Sequence, residues 1–580
     1  MIFLNILISF TQIFFIPGLL YTLFINKFNL FLILSVSVFS NYILILILSL
    51  LKIYTKDILL IIISIETLII LFFLIRNKFN LRLKINFNFI DLLNYLILLF
   101  IILKLVQIYY PFFGSIFSEG DVIRSWNEWS YNLFGSTYSQ EVINYNTFDS
   151  EFKKNQSRSY YGQLIPALWS IFYILTENGD VTLFPKLLNF TLCITVLFYL
   201  IINFVLKKKI DILFVIIFLF FLFYKEHAYF IYSGLVDGVI AALLFLSLLL
   251  VFNNNKKFDE KNLFAGIIYA VIVSNIKISA LYYSLVFLPF YLIFNYYKIF
   301  GSKLFKYLIF LIFFSLFWFF YQYIFYDINI LFSNNIDYLK RISANNISDG
   351  YNLFLRLFNS EKVCAFIISI LIFSVIIKEV RYITLFLIVP YIVIWYNFSS
   401  YDVRNLLLII PVICFVVSKS IIHVFKRIKM PNLKKYEANY NMRKSNIIIC
   451  IFVSFIIIFP YIAFNQDKLD NYILKNINDK KINLKDKNAN KIILDSINNN
   501  LSIYSDYIYI KYILTNSQFD QANICSYFQK KDFSNCRNLP EKGSILLSYY
   551  NNNKFINEVK KKYSLEIIYR NNNFKIFKFK

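Results

Sequence analysis

Residues 118 to 169, SEGDVIRSWNEWSYNLFGSTYSQEVINYNTFDSEFKKNQSRSYYGQLIPALW, form a polar island in a chain that is otherwise one apolar run after another. At its centre Glu119, Gly120 and Asp121 are followed by Arg124, Trp126, Asn127, Glu128 and Trp129. A carboxylate can take a proton, a guanidinium can hold an anion, and indole rings offer a stacking surface. That set suits chemistry on a carbohydrate. The same stretch also reads as a solvated loop whose tryptophans anchor it at a bilayer interface.

Ionisable residues inside or at the edge of apolar runs are costly and need a reason. Asp237, in YSGLVDGVIAALLF, opens such a run beside Gly234 and Gly238, where a carboxylate can orient a cation. Lys277, in VSNIKISALYY, sits in a break between two runs and is a candidate phosphate contact. Arg404, in SSYDVRNLLLIIP, opens a late run that contains a proline. Each alone also reads as a helix cap or an interface anchor. Together they place one acid and two cations on the side that holds Asp121. Glu66 and Lys104 fall on consecutive apolar runs at comparable depth, and the economical account of them is a structural ion pair between helices.

The elements that must carry these residues follow from composition. The chain has 580 residues, 59% of them hydrophobic and 16% charged, with a mean hydropathy of +0.60. A soluble protein of this length needs far more polar surface, so the expectation is an all-α polytopic membrane protein. Apolar runs suggest roughly fourteen transmembrane helices. They lie near residues 1 to 24, 29 to 51, 58 to 75, 89 to 112, 183 to 205, 210 to 224, 231 to 252, 262 to 276, 278 to 297, 307 to 325, 362 to 377, 382 to 397, 403 to 422 and 446 to 464. The first run has a Pro17-Gly18 break but neither a basic start nor a small-residue cleavage site, and reads as a retained span.

The net charge of +25 resides mainly in short loops, which points to topology and contact with anionic lipid, and to no nucleic acid as partner. Basic clusters at Arg76 to Lys84, Lys207 to Lys209, Lys256 to Lys261 and Lys426 to Lys444 all fall on one side if the spans alternate. That side is cytoplasmic by the positive-inside rule, which leaves the loop of residues 114 to 182 and the tail after 465 on the periplasmic side.

The tail, residues 465 to 580, reads as a separate α/β domain. Residues 502 to 514 and 543 to 550 are rich in β-formers, residues 553 to 563 place Phe555, Ile556, Val559 and Tyr563 at helical spacing, and the end reads as a hairpin turning at Asn571 to Asn573. The Asn- and Lys-rich residues 474 to 491 read as a linker. Of six cysteines, Cys193, Cys364, Cys414 and Cys450 lie in apolar runs, whereas Cys525 and Cys536 enclose a short polar loop and could pair outside the cytoplasm. With only His227 and His423, no His/Cys cluster proposes zinc.

The layout of an acidic pair in a large loop, a Pro-bearing stretch YYGQLIPALW, a later G-x-x-D, a lysine after it and an arginine opening a late helix resembles the GT-C superfamily of polyprenol-phosphate-sugar-dependent glycosyltransferases, among them protein O-mannosyltransferases and the lipid A aminoarabinose transferase. The resemblance covers residues 89 to 464, leaving 1 to 88 as extra N-terminal transmembrane helices. The acids are spaced Glu-Gly-Asp instead of adjacent, and no WWDYG-like motif is present, which argues against an oligosaccharyltransferase. The resemblance implies an inverting transfer from a polyprenyl-phosphate sugar to a glycan, lipid or protein acceptor, in a bacterial inner membrane with the active site on the periplasmic face. Asp121, or Glu119, would be the general base. Arg124, Lys277 and Arg404 would hold the donor phosphate, with Asp237 in support, and Trp126, Trp129, Tyr160 and Tyr161 would offer sugar or lipid surfaces. The resemblance specifies no cofactor with certainty, and a divalent metal stays open as a helper.

A polymerase or ligase of lipid-linked glycans is the competing class, but its expected Arg and His in a late outer loop are matched only by Arg341 in residues 327 to 360. A transporter should show repeated halves, which the sequence lacks. A non-catalytic membrane protein of envelope glycan synthesis is the third alternative. The orientation has a direct check in a cysteine-free background. Single Ser157→Cys and Ser517→Cys variants are expected to react with a membrane-impermeant maleimide added outside spheroplasts, and labelling of either site only after lysis would overturn the assigned sides.

Overall fold

The computed structural model describes residues 2–25, 28–76, 126–127, 129–130, 133, 162–177, 183–201, 235–252, 259–325, 361–398, 403–428, 487–505, 524–526, 540–549, 553–570 and 574–580. The chain is mostly helical. Its helices are α1 (Ile2–Phe14), α2 (Ile16–Phe24), α3 (Leu30–Leu50), α4 (Lys56–Arg76), α5 (Leu164–Thr176), α6 (Leu183–Ile201), α7 (Asp237–Phe252), α8 (Glu260–Ser274), α9 (Leu288–Phe300), α10 (Ser302–Ser315), α11 (Phe317–Phe325), α12 (Glu361–Ser374), α13 (Val389–Phe398) and α14 (Ile410–Ile428). One hydrophobic core joins residues from Ile6 to Val417, so the first four helices share their core with the rest.

Among the described residues, four helical stretches are long and apolar enough to cross a membrane: Leu30–Leu50, Lys56–Arg76, Ile278–Tyr297 and Arg404–Ile421. A fifth is formed if Leu4–Phe14 and Ile16–Phe24, bent by 40° at their junction, count as one span. These match the expected spans at 1 to 24, 29 to 51, 58 to 75, 278 to 297 and 403 to 422. The expected spans at 89 to 112, 210 to 224 and 446 to 464 lie outside the described residues. The expected span at 307 to 325 is two helices, α10 and α11, that meet at Leu316.

The bend between α1 and α2 has a local cause. Pro17 stands in the first turn of α2, where its missing N–H costs nothing but the preceding helix cannot continue through it. Gly18 then lets α2 lie against α3 at backbone contact. Its N–H donates to Ser37 Oγ at 2.8 Å, and a Cβ built on it would stand 1.9 Å from the Ile33 carbonyl oxygen.

Two hydrogen bonds lock α3 and α8 side by side. Asn29 caps α3 by accepting from the backbone N–H groups of Phe31 and Leu32, and its Nδ2 donates to Asn262 Oδ1 at 2.8 Å near the start of α8. Tyr42 donates to Asn275 Oδ1 at 3.4 Å. Both pairs are separated by 233 positions, so the two helices run parallel and in step. Helix α4 runs the other way: Gln12 reaches both Asn41 on α3 and Glu66 on α4, residues at similar distances from the loop that joins those helices. The Arg76 end of α4 and the Lys261 end of α8 therefore lie toward the same end of these helices.

The tail forms a five-stranded sheet in the order β2-β1-β3-β5-β4, with β1 (Ile503–Ser505), β2 (Ile524–Ser526), β3 (Ile545–Tyr549), β4 (Leu565–Arg570) and β5 (Phe574–Phe579). β1 pairs in parallel with β2 and β3, while β3 with β5 and β4 with β5 are antiparallel. Alternation along the strands puts Tyr504, Leu546, Phe577 and Phe579 on the face covered by α16 (Asn553–Lys562) through Ile556 and Val559. The expected hairpin and helix are present. The expected linker is corrected at its end: Lys487–Asn498 is helix α15, which buries Ile493 and Ile497 one turn apart. Cys525 lies in β2, and the expected disulfide cannot be judged because Cys536 lies outside the described residues.

The contact at Gly18 yields a test. Gly18→Ala is expected to force α2 off α3 and lower unfolding free energy by about 1 to 3 kcal/mol. Denaturant titration of the purified chain in micelles measures it, and an unchanged midpoint would contradict the close approach.

Candidate functional site

Helix α8 stops inside the bundle. Asn275 takes over at its C-terminus: its Nδ2 donates to the carbonyls of Val271 at 2.8 Å and of Phe314, on α10, at 2.7 Å. Its own carbonyl accepts from Leu164 N at 3.3 Å, and Gly162 makes room, since a Cβ there would lie 1.9 Å from that oxygen. Held from three sides, the backbone leaves helical geometry. Lys277 adopts extended dihedrals, φ −148° and ψ 138°, before a 3-10 turn (Ile278–Ala280) and a π-helical turn (Tyr282–Phe287) lead into α9.

Lys277 projects from this break into a polar centre. Its Nζ donates to Asp237 Oδ1 at 2.7 Å and to Asn405 Oδ1 at 2.8 Å. The ion pair is buried, with side-chain exposures of 12% for Lys277 and 4% for Asp237. Asp237 is the first residue of α7, where the helix dipole favours a negative charge. Asn405 lies in the 3-10 segment Val403–Ile409 that precedes α14, and Tyr391 on α13 fixes that segment by donating to the Asn405 carbonyl at 3.0 Å. α7 and α8 run antiparallel, tied by Ser247 donating to the Gly266 carbonyl at 2.6 Å, so the start of α7 meets the end of α8. Arg404, one residue before Asn405, is partly exposed.

The structure therefore brings together two of the residues singled out in the sequence, Asp237 and Lys277, and places Arg404 beside their third partner. Trp126 and Trp129 are core side chains, 4% and 5% exposed, packed edge to face with centroids 5.4 Å apart. They stand in the apolar core, so a stacking platform for a sugar is not open at either ring in this conformation. Asn127 between them accepts from Tyr173 of α5 at 2.6 Å. Glu119, Asp121, Arg124, Tyr160 and Tyr161 lie outside the described residues, as does Lys104. Glu66 accepts from Gln12 Nε2 at 3.0 Å.

Sequence reasoning missed Asn405, Tyr391 and Asn275. Each left a faint signal, a carboxamide or phenol inside an otherwise apolar run: the pair Ser274-Asn275 before Lys277, Asn405 directly after Arg404, and Tyr391 after Pro390. Among the described residues no group of three or more His, Cys, Asp or Glu side chains converges to hold a metal. Comparison with protein-family models, curated proteins and solved structures finds no match to this chain.

Chemically, the centre is a cation that donates to a carboxylate and to a neutral carboxamide within the helical bundle. Little solvent screens the ammonium there, so its attraction to Asp237 is stronger than at the surface. Removing one partner of a buried pair leaves the other uncompensated. Asp237→Ala is expected to cost about 3 to 5 kcal/mol of stability, and the double variant Asp237→Asn with Lys277→Met to recover most of it. Denaturant unfolding in micelles measures both. Equal loss in the single and double variants would mean that the two charges are not coupled.

Proposed function

We propose that this chain is a membrane glycosyltransferase that moves a sugar from a polyprenyl-phosphate donor to a glycan, lipid or protein acceptor at the periplasmic face of a bacterial inner membrane. The observation that carries the reading is the buried Lys277, presented by a helix break and aimed by Asp237 and Asn405. A lipid-phosphate headgroup entering from the bilayer needs a cation inside the apolar bundle. Arg404, adjacent to Asn405, supplies a second, and Arg124 from the polar loop is the proposed third.

In an inverting transfer the acceptor hydroxyl attacks C1 of the sugar as a carboxylate removes its proton, and the bond from C1 to the phosphate oxygen breaks. The electron pair leaves with the phosphate, where Lys277 and Arg404 stabilise it. Asp121 is the proposed base, with Glu119 as the alternative, since positions two apart on a helix point about 200° from each other. The leaving group is already weakly basic, so cations and not a general acid complete the reaction.

A second reading, transport of an anionic substrate, is favoured by one observation. Lys277 lies in the turn between two antiparallel helical stretches, Glu260–Ser274 and Ile278–Tyr297, where a buried ammonium can hold an anion. Radiolabelled sugar on a polyprenyl phosphate, offered to the full chain in proteoliposomes with an acceptor extract, separates the two. Asp121→Asn is expected to lower transfer by about 10² to 10⁴ if it is the base, with Glu119→Gln as the control. The stability-matched double variant Asp237→Asn with Lys277→Met is expected to fold but to lose donor use. Wild-type transfer by both carboxylate variants would sink the mechanism, and movement of substrate without transfer would favour transport.

A further inference from the structure

A second polar cluster, separate from Lys277, lies halfway along the first helices. Glu66 is the eleventh of 21 residues in α4, and Asn41 the twelfth of 21 in α3. At 1.5 Å per residue both stand about 15 Å from either helix end, the middle of a hydrocarbon layer about 30 Å thick. Gln12 of α1 joins them. Its Nε2 donates to Glu66 Oε2 and to Asn41 Oδ1, both at 3.0 Å, while Asn41 Nδ2 donates to the carbonyls of Gln12 at 2.9 Å and Ser37 at 2.8 Å. Gln12 and Asn41 are fully buried, and Gln12 Oε1 has no donor.

What faces Glu66 decides its charge. The described helices on the buried side of α4, which are α2 and α5, and the helices α1 and α3 that carry Gln12 and Asn41, contain no Asp, Glu, Lys, Arg or His. Within α4 the other charged residues are Lys56, Asp57 and Arg76, at its two ends. The titratable groups on the neighbours are tyrosines: Tyr21 on α2, Tyr42, whose hydroxyl goes to Asn275, and Tyr173, whose hydroxyl goes to Asn127. Among the described residues Glu66 therefore meets the Gln12 carboxamide and no cation. An ionised carboxylate at mid-membrane with one amide donor is costly, whereas a carboxylic acid is neutral and supplies a donor beside an amide oxygen that lacks one.

We propose that Gln12, Asn41 and Glu66 form a proton-binding site in the middle of the membrane, with the proton carried by Glu66. The site is accessible from lipid. Glu66 is half-buried on a helix whose Ile61, Ile65, Leu68, Ile69 and Phe72 are exposed, so a hydrophobic reagent dissolved in the bilayer can reach it.

The test uses dicyclohexylcarbodiimide, which adds to protonated carboxyl groups in apolar surroundings, on the full chain in proteoliposomes, with the peptide that contains Glu66 read by mass spectrometry. Wild type is expected to be labelled at Glu66 at pH 6, and labelling to fall about tenfold per unit once pH exceeds the site's pKa. Glu66→Gln is expected to abolish the adduct. Gln12→Leu removes the donor that favours the ionised form, so its labelling is expected to persist to higher pH than in wild type. An unlabelled Glu66 between pH 5 and 8 in folded wild-type chain would overturn the proposal, and is the result an ion pair with Lys104 would produce. Protection by Na⁺ at constant pH would overturn it too, by assigning the carboxylate to a metal cation.

Discussion

The arrest of α8 at Asn275 is the constraint on which the polar centre depends. A helix that begins in register with α3 at Asn29 and Asn262 would, if it continued, carry its polar residues past the bundle. Asn275 instead satisfies two carbonyls with its side chain and gives its own carbonyl to the start of α5, at a point where only a glycine fits. The backbone polar groups freed by ending a helix in apolar surroundings are thus paired within the protein, as they must be where no water competes. Lys277 follows two residues later, and its direction is a consequence of that stop.

From this stop the electrostatics follow. Asp237 and Asn405 reach the Lys277 ammonium from two other elements and fix its direction. Such an arrangement adds little net stability, since desolvation offsets the attraction. What it provides is an ammonium held in one direction by two other elements. The 3-10 geometry of Val403–Ile409 serves the same end, since it is the segment that carries Asn405 and is held by Tyr391.

The Gln12, Asn41 and Glu66 cluster is built differently. There the acid meets amides on helices without charge, and the natural way to lower its cost is to hold a proton rather than a counter-ion. Of the two centres, one is a paired charge at the turn between two helical stretches, and the other a carboxyl that, among the described residues, meets an amide on an unbroken span.

Composition and hydropathy by themselves pointed to long apolar helices suited to a membrane, and the described residues are mostly helical with four such stretches, because runs of Ile, Leu and Phe bury their side chains best in that form. Local pattern also determined the tail's last helix and hairpin, where Ile556 and Val559 at helical spacing and two β-rich runs around Asn571 to Asn573 leave few alternatives. It marked Asp237, Lys277 and Arg404 as well, since an ionisable residue at the edge of an apolar run stands out. It did not mark Asn405 or Asn275, which carry no charge and resemble any other polar residue in a span, nor the helix at Lys487–Asn498, whose Asn and Lys content hides a buried apolar stripe. Only the tertiary structure decided that Asp237 meets Lys277 across 40 positions and Asn405 across 128. Such meetings are fixed by which helices run parallel, where one of them stops and how closely a glycine lets another approach, and none of those is a property of a local stretch of sequence.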